Sequence, residues 1–255
     1  MSKTKILIYD IETAPNLGYI WGKWQQDVIE YTHEWYMLCW SARWLGEKKI
    51  HTFAQPDSPG DYYKKRPFCD YHVVASLWNL MNEADIIVAH NGKFFDNRKS
   101  NARFLYHGFE PPAPYKTIDT YKEAKKYFSF NSYRLNDLAH LLGIGTKAQT
   151  GGFRLWKECM QGKKRAWNKM KKYNRQDVAL LEEVYYKLRP WMETHPTVNL
   201  IEGKEGGCPA CGSTSLTKQG IYRAKTQVYQ QWKCKGCGRW SRSRKAKETP
   251  KAELV

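Results

Sequence analysis

The sequence predicts an α/β domain with a mixed central sheet flanked by helices, followed by a small C-terminal metal-binding module. Three observations lead to this prediction: strand-like runs near the start, alternating strand and helix patterns as far as about residue 189, and two Cys-x-x-Cys pairs near the end. The 255 residues are 42% hydrophobic, which is enough for one substantial core and a small second domain.

The predicted strands begin with three β-prone runs over residues 5–9, 36–44 and 49–53, which together indicate an antiparallel meander. Residues 85–89 form a short apolar run after a helical pattern, which is typical of a buried parallel strand. Residues 116–119 predict one further short strand.

Apolar residues at helical spacing predict four helices, over residues 71–81, 95–106, 135–142 and 167–188. Ser132 is the expected cap of the third helix, and Pro190 ends the fourth. Residues 55–67 contain several prolines and predict a loop. We therefore divide the chain into an α/β domain (1–195), a linker (196–207), a metal-binding module (208–245) and a disordered tail (246–255).

Basic residues outnumber acidic residues, with 42 Lys and Arg against 25 Asp and Glu and a formal net charge of +17. Residues 203–255 hold 12 basic and 3 acidic residues, a local balance of 12 − 3 = +9. This surplus favours a polyanionic partner, most often nucleic acid. No apolar run approaches the roughly 20 residues that span a bilayer, and no signal peptide is apparent. We therefore expect an intracellular protein, cytoplasmic or nucleoid-associated, or in the host cytoplasm if the source is viral.

The last four cysteines form two Cys-x-x-Cys pairs: Cys208 with Cys211, and Cys234 with Cys237. Two such pairs at this separation favour a tetrahedral structural zinc site, because each short turn presents two thiolates to one ion. A glycine follows each pair and permits the positive φ of a metal-binding turn. The alternative, a redox dithiol, would need a thioredoxin-like βαβ context that this segment lacks.

The stretch from Cys208 onward, CPACGSTSLTKQGIYRAKTQVYQQWKCKGCGRWSRSR, resembles the zinc ribbons at the ends of transposases and other DNA-handling proteins. The resemblance implies a nucleic-acid-binding module, although zinc ribbons also mediate protein contacts. The basic side chains that could contact phosphates are Lys218, Arg223, Lys225, Arg239, Arg242 and Arg244.

Two carboxylates, Asp10 and Glu12, end the first predicted strand. Residues two apart on a strand point to the same face, and a divalent cation offsets the repulsion of paired carboxylates. Alone, such a pair is most often a solvated strand end. Two later motifs change this interpretation: His90-Asn-Gly-Lys-Phe-Phe-Asp96, and Tyr173-Asn-Arg-Gln-Asp177, whose first and last residues share a helix face.

These three motifs, in this order, resemble the DEDD family of 3′–5′ exonucleases, which have an RNase H-like fold. The resemblance covers residues 4–189, and residues 132–145 look like the segment that precedes the last motif in this family. Tyr173, four positions before Asp177, is typical of the tyrosine subclass. The histidine subclass has His at the position that Lys172 occupies here.

The resemblance implies a two-metal site for Mg²⁺ or Mn²⁺, formed by Asp10, Glu12, Asp96 and Asp177. It implies that Asp10 bridges both ions, that Asp96 acts partly through water, and that Tyr173 orients the attacking water. Thr13, Asn91 and Lys172 are the expected nucleic-acid contacts in this domain. One departure from the family is the polar and basic segment 97–101, where apolar residues are usual.

The sequence therefore predicts a metal-dependent 3′–5′ exonuclease, acting on DNA in preference to RNA, with a zinc ribbon that aids nucleic-acid binding. Two alternatives remain open: a structure-selective endonuclease or resolvase of the same fold, and a non-catalytic nucleic-acid-binding adaptor. A polymerase or recombination protein is the partner that a proofreading or repair role would need.

Overall fold

The computed structural model describes residues 4–24, 27–146, 150–202 and 205–247. It divides into two compact units, Lys5–Tyr185 and Tyr186–Val255, the second of which also includes Thr4. Within the described ranges, no helix is both long enough and apolar enough to cross a membrane.

The first unit contains a five-stranded sheet whose strands are β1 (Ile6–Thr13), β4 (Met37–Trp44), β5 (His51–Ala54), β6 (Ile86–Ala89) and β7 (Lys116–Asp119). Their order is β5-β4-β1-β6-β7. Strands β1, β4 and β5 pair antiparallel, whereas β6 and β7 join parallel to β1. The predicted meander, parallel strand and mixed sheet are confirmed.

Helices cover both faces of this sheet: α1 (Tyr62–Lys65), α2 (Tyr71–Glu83), α3 (Asp96–Tyr106), α4 (Thr120–Tyr127), α5 (Leu135–Leu141), α6 (Arg154–Met160) and α7 (Lys164–Leu188). Leu7, Tyr9 and Ile11 pack with buried residues of α2 and α3. A second core brings Leu38 of β4 together with buried residues of α6 and α7. Because side chains alternate along a strand, Asp10 and Glu12 project from the face of β1 opposite to Tyr9.

The four predicted helices are present, with shifted ends and additions. The third helix begins after Arg134, so Ser132 is not its cap; instead, the Ser132 hydroxyl donates to Asp137 Oδ2 at 2.6 Å. Helix α1 lies inside the predicted loop 55–67. Sequence periodicity also missed α4, α6 and the hairpin of β2 (Leu17–Tyr19) and β3 (Glu30–His33), all short elements.

Helix α3 is polar over residues 97–101, where the resemblance leads us to expect apolar residues, yet it has buried contacts. Asn97 and Ser100 are buried, and Asn97 accepts a hydrogen bond from the Tyr9 hydroxyl at 2.8 Å. At the other end of α3, Arg103 makes two bonds to the buried carboxylate of Asp70, at 2.8 and 2.5 Å. Hydrogen bonds and an ion pair therefore contribute to the packing of this polar helix.

The second unit contains α8 (Val198–Glu202) and a three-stranded antiparallel sheet of β8 (Leu216–Arg223), β9 (Val228–Cys234) and β10 (Trp240–Arg242). Helix α8 lies within the segment that we predicted as linker. Val198 is buried and its backbone N–H donates to Pro209 O at 2.8 Å, which joins this segment to the first cysteine turn. Of the predicted tail, residues 248–255 lie outside the described residues.

Candidate metal and nucleic-acid site

Three carboxylates converge at the end of β1. One oxygen each from Asp10, Glu12 and Asp177 lies within 4.8 Å of the others. Asp177 is buried on α7, whereas Asp10 and Glu12 are half-buried. Three negative charges at this spacing repel one another, so the arrangement favours a cation, and its all-oxygen donors suit Mg²⁺ or Mn²⁺.

Asp96 lies at the start of α3 and is 3% exposed. Its Oδ1 accepts a hydrogen bond from the backbone N–H of Ile11, between Asp10 and Glu12, at 3.2 Å. Asp96 is not a member of the three-carboxylate cluster. The structure thus brings the fourth predicted carboxylate to the same strand segment, attached to its backbone.

Tyr173 and Asn174 line the site from α7. Burial, and then the carboxylates of Asp177, Glu12 and Asp10, raise the pKa of Tyr173 well above its usual value of 10, and a side-chain hydrogen bond to Asp177 adds to this effect. Burial and the neighbouring carboxylates therefore favour the protonated phenol. Its ring packs edge-on against Trp156, with centroids 6.1 Å apart.

Asn174 is a site residue that the sequence reasoning missed. It is buried, and its Nδ2 donates to Asp10 Oδ2 at 2.6 Å and to the Asp10 backbone carbonyl at 3.3 Å. These bonds orient one carboxylate of the cluster. Its place within Tyr173-Asn-x-x-Asp177 was the available signal, because the residue after Tyr173 lies on a helix already expected to face the site.

The loop before Asp96 is held by Asp119, at the end of β7. Asp119 accepts hydrogen bonds from the backbone N–H groups of Asn91 at 2.9 Å and Lys93 at 3.2 Å, and it also caps α4. Asn91 has a left-handed backbone with φ of 62°, which asparagine tolerates better than most residues. One carboxylate thus sets both the loop and the start of the next helix.

The other predicted nucleic-acid contacts have different surroundings. Thr13 borders a concave surface with Phe153 and Trp156, next to the carboxylates in sequence. Lys172 is exposed on α7. Arg223 and Lys225 are exposed in the second unit. The Arg239 guanidinium donates to the carbonyls of Pro190 at 2.7 Å and Met192 at 3.0 Å, and so has a structural role.

Part of the basic segment 163–175 makes contacts within the protein. Lys171 pairs with Asp57 at 2.5 Å, and Arg175 donates to Thr52 Oγ1 at 2.8 Å. Lys163 pairs with Glu158 at 3.3 Å. The positive charges that a ligand could meet are therefore those of the exposed residues Lys164, Arg165, Lys169 and Lys172, rather than those of the whole segment.

The four cysteines of the second unit form one cluster in which all Sγ atoms lie within 4.8 Å. Cys208 and Cys237 have sulfurs 3.6 Å apart, as do Cys211 and Cys234. A tetrahedral zinc with Zn–S bonds of about 2.3 Å places its sulfurs about 3.8 Å apart, whereas a disulfide needs about 2.05 Å. The cluster fits a small zinc ribbon.

Both cysteine turns have the predicted backbone. Gly212 and Gly238 have φ of 75° and 76°, and their N–H groups donate to the carbonyls of Cys208 and Cys234. Burial raises the pKa of the Cys234 thiol, but N–H groups of Cys237 and Gly236, together with hydrogen bonds from the Cys211 and Cys208 thiols, lower that pKa to about 7. Burial is the leading cause that raises the pKa values of Cys211 and Cys237, so the backbone donors favour the thiolate at Cys234 in particular.

The fold and the site define an α/β protein that gathers carboxylates on a central strand and on two helices beside it. The sequence profile of the RNase H superfamily matches residues 48–189, more than half of the chain, and the chain belongs to that superfamily. The matched region includes Asp96, Tyr173 and Asp177, whereas Asp10 and Glu12 precede it.

Among solved structures, the chain is similar to the family B DNA polymerase from the hyperthermophilic archaeon Pyrobaculum calidifontis, with a TM-score of 0.54 and 15% sequence identity. The similarity covers 74% of this chain and 25% of the polymerase chain, so it spans about a quarter of the polymerase's length. At this identity the likeness shows the fold alone. A comparison with curated proteins found no match.

Proposed function

We propose that the protein is a metal-dependent exonuclease of the DEDD tyrosine subclass, which removes nucleotides from the 3′ end of DNA in preference to RNA. The observation that carries the proposal is the convergence of Asp10, Glu12 and Asp177 within 4.8 Å at the end of a buried strand. Asp96, which accepts a hydrogen bond from the Ile11 N–H, and Tyr173, which is bonded to Asp177, complete the set of residues. Membership of the RNase H superfamily supports a nucleic-acid substrate, and DNA is proposed by analogy with the DNA polymerase that shares this fold.

The four carboxylates would hold two Mg²⁺ or Mn²⁺ ions, because their oxygens match the preference of these cations and four negative charges offset two divalent ions. When bound, the ions supply a more acidic water and stabilise the charge that develops on the leaving oxygen.

The protein's own residues position the reactants. The single O–H of Tyr173 bonds Asp177, and its oxygen can still accept a hydrogen bond, so the phenol would orient the attacking water rather than take a proton from it. Asn174 fixes the Asp10 carboxylate through the 2.6 Å bond. Trp156 packs against Tyr173 and limits its movement.

The zinc ribbon would bind nucleic acid through a surface where basic side chains lie over aromatic rings. The Arg242 guanidinium lies 4.0 Å from the Tyr229 ring centroid and 5.6 Å from that of Tyr222. Lys218 lies over Trp232 at 5.6 Å. Such pairs suit phosphates and unpaired bases together. Arg223 and Lys225 add exposed positive charge beside them.

The test is degradation of 5′-labelled and 3′-labelled DNA and RNA oligonucleotides with and without Mn²⁺. We expect stepwise loss of mononucleotides from the 3′ end, and a fall of at least about 10³-fold in the Asp10→Ala and Asp177→Ala variants. Asp61→Asn, which changes an exposed carboxylate outside the site, is the matched control. Binding of the oligonucleotide should persist in all three variants.

Three outcomes would contradict the proposal. Internal cleavage of a circular or branched substrate would favour an endonuclease or resolvase. Binding without any metal-dependent hydrolysis would favour a non-catalytic adaptor. Equal rates of degradation by the wild type and Asp10→Ala would show that the acidic cluster takes no part in the reaction.

A further inference from the structure

The first unit has another large concave surface, and none of its lining residues takes part in the proposed reaction. It has a volume of about 800 Å³ and lies between the loop after β3 and the segment after α1. Its lining residues include Trp35, Lys65, Arg66, Phe68, Arg103 and Tyr106. This volume falls within the range of about 300–1,000 Å³ that is usual for small-ligand sites.

The lining combines aromatic faces with positive charge. Phe68 and Tyr106 are 37% and 71% exposed, which is high for such large rings. Lys65 and Arg66 are exposed and stand on and just after α1. Arg103 is already neutralised by Asp70, so Lys65 and Arg66 supply the charge that a ligand would meet. Glu34 is the acidic residue in the lining.

Trp35 is shared by this cavity and a second concave surface. It lines the 800 Å³ cavity and also the concave surface that contains Thr13, the residue after Glu12. Its backbone N–H donates to Asn16 Oδ1 at 2.7 Å, which holds it beside the segment that follows β1. The Lys99 ammonium lies 3.6 Å from the Trp35 ring centroid, on the side of the surface near Thr13.

We propose that this cavity is a second nucleotide-binding subsite, which takes a base and phosphate of an unpaired strand upstream of the 3′ end bound at the carboxylates. His33 lies against Phe68 and Arg103 lies over Tyr106, so the opposite faces of these rings would stack on the base, and Lys65 and Arg66 would contact the phosphate. The shared Trp35 gives the strand a continuous path from one surface to the other. This inference rests on the proposed function, because that function places the 3′ end beside Thr13.

The proposal predicts an effect that depends on substrate length. The variants are Phe68→Ala and the double variant Lys65→Glu/Arg66→Glu. The matched control, Lys48→Glu/Lys49→Glu, makes the same charge change at exposed positions outside both surfaces. Melting temperatures verify that each variant folds, and two different chemical changes keep the test valid if one variant is unstable.

Three measurements separate the subsite from the reaction centre. The p-nitrophenyl ester of thymidine 5′-monophosphate with Mn²⁺ reports on the carboxylate site alone. Michaelis constants for single-stranded dT3 and dT12 report on length. Fluorescence anisotropy with labelled dT12, in buffer without added Mn²⁺, reports on binding without the reaction. A poly-glutamate peptide of similar charge serves as a polyanion without bases.

We expect Phe68→Ala and Lys65→Glu/Arg66→Glu to weaken dT12 binding by about 5-fold to 100-fold, as stacking and phosphate contacts predict. Ester hydrolysis and the constant for dT3 should stay at wild-type values. The proposed subsite is contradicted if both variants bind dT12 as well as the control does, or if the Michaelis constants for dT3 and dT12 change equally. Poly-glutamate binding that is lost in the same variants would assign the cavity to an acidic peptide and overturn the proposal. If the wild type hydrolyses neither ester nor oligonucleotide, the proposed function fails, and the anisotropy comparison still decides the subsite.

Discussion

The acidic cluster and the cysteine cluster each bring their ligand atoms within 4.8 Å of one another, but they draw them from different distances along the chain. The cysteines come from two four-residue turns on neighbouring parts of one small unit. The carboxylates come from β1 and from α7, 177 − 10 = 167 positions later. The sulfur site can therefore be ordered largely by its metal, whereas the oxygen site needs the sheet and helices to be folded first.

The largest effect is expected when the cysteine cluster is disrupted, which tests whether the acidic cluster is independent of it. Cys234→Ser should abolish zinc binding and the order of β8, β9 and β10, because structural zinc contributes about 10–16 kcal/mol of binding free energy in small modules. Zinc content by mass spectrometry and amide hydrogen exchange measure this. Cys69→Ser, outside the cluster, is the control. Hydrolysis of the thymidylate ester should survive in both variants, and its loss in Cys234→Ser alone would make the two clusters interdependent.

The next effect tests how strongly the acidic site depends on distant packing. Asp70→Asn breaks the buried ion pair with Arg103 that holds the far end of α3, whose first residue is Asp96. Breaking such a pair costs about 3–5 kcal/mol of unfolding free energy. Chemical denaturation measures the loss, and the exposed Asp61→Asn, which should cost less than about 1 kcal/mol, is its control.

The same carboxyl gives a pH dependence. Burial raises the pKa of Asp70, but hydrogen bonds from His107 and Arg103 outweigh it and leave the pKa below its ordinary value of 3.8. As the pH falls, the Asp70 carboxylate is therefore protonated at a higher pH in the unfolded chain than in the folded protein. The stability that Asp70 contributes is complete above pH of about 4 and is lost as the pH falls through the lowered pKa. Asp70→Asn should flatten this acid limb, and an unchanged limb would contradict the assignment.

A smaller effect concerns the phenol. Tyr173→Phe should lower kcat by about 10-fold to 100-fold, the worth of one hydrogen bond to a charged group. Because the pKa of Tyr173 is raised, the variant and the wild type should have pH–rate profiles of the same shape up to about pH 10. An alkaline limb present only in the wild type would identify Tyr173 as a titrating base. Tyr63→Phe, a half-buried phenol bonded to Trp167, controls for the loss of a hydroxyl.

The smallest effect is expected at the residue that orients Asp10. Asn174→Ala should raise the Mn²⁺ concentration for half-maximal activity by about 10-fold, with a lesser change in kcat at saturating metal. A metal titration of the ester reaction separates these quantities. Asn101→Ala, at an exposed position, is the control. An unchanged Mn²⁺ requirement would show that the 2.6 Å bond does not position the cluster.

The sequence was most informative where local pattern and burial coincide. The apolar run before Asp10 predicted a strand, and side-chain alternation placed Asp10 and Glu12 on one face. Asn174 was missed because its position after Tyr173 indicates only that it lies on the helix beside the site, whereas its bond to Asp10 depends on the rotation of α7 against β1. The β2–β3 hairpin was missed because its strands are three and four residues long and expose most of their side chains, so they lack the period of a half-buried strand.

The linker prediction differs from the structure for a similar reason. Residues 196–207 contain proline and glycine, which favour an irregular segment, but Val198 and Ile201 bury their side chains within the second unit and form α8. The glycines that end the cysteine turns were correctly predicted, because a positive φ depends on the residue at one position. The burial of Val198 and Ile201 depends on contacts with residues that are distant in sequence, which a local pattern does not show.

Strand β1 uses consecutive residues for opposite purposes. Tyr9 bonds to Asn97 on α3, and Asp10 bonds to Asn174 on α7. One inserted residue upstream of Tyr9 would exchange the faces of this strand, directing a carboxylate into the apolar core and a phenol toward the acidic cluster. This segment should consequently accept changes of side-chain size yet reject any change of length, which makes it a poor position for tags, insertions or circular permutation.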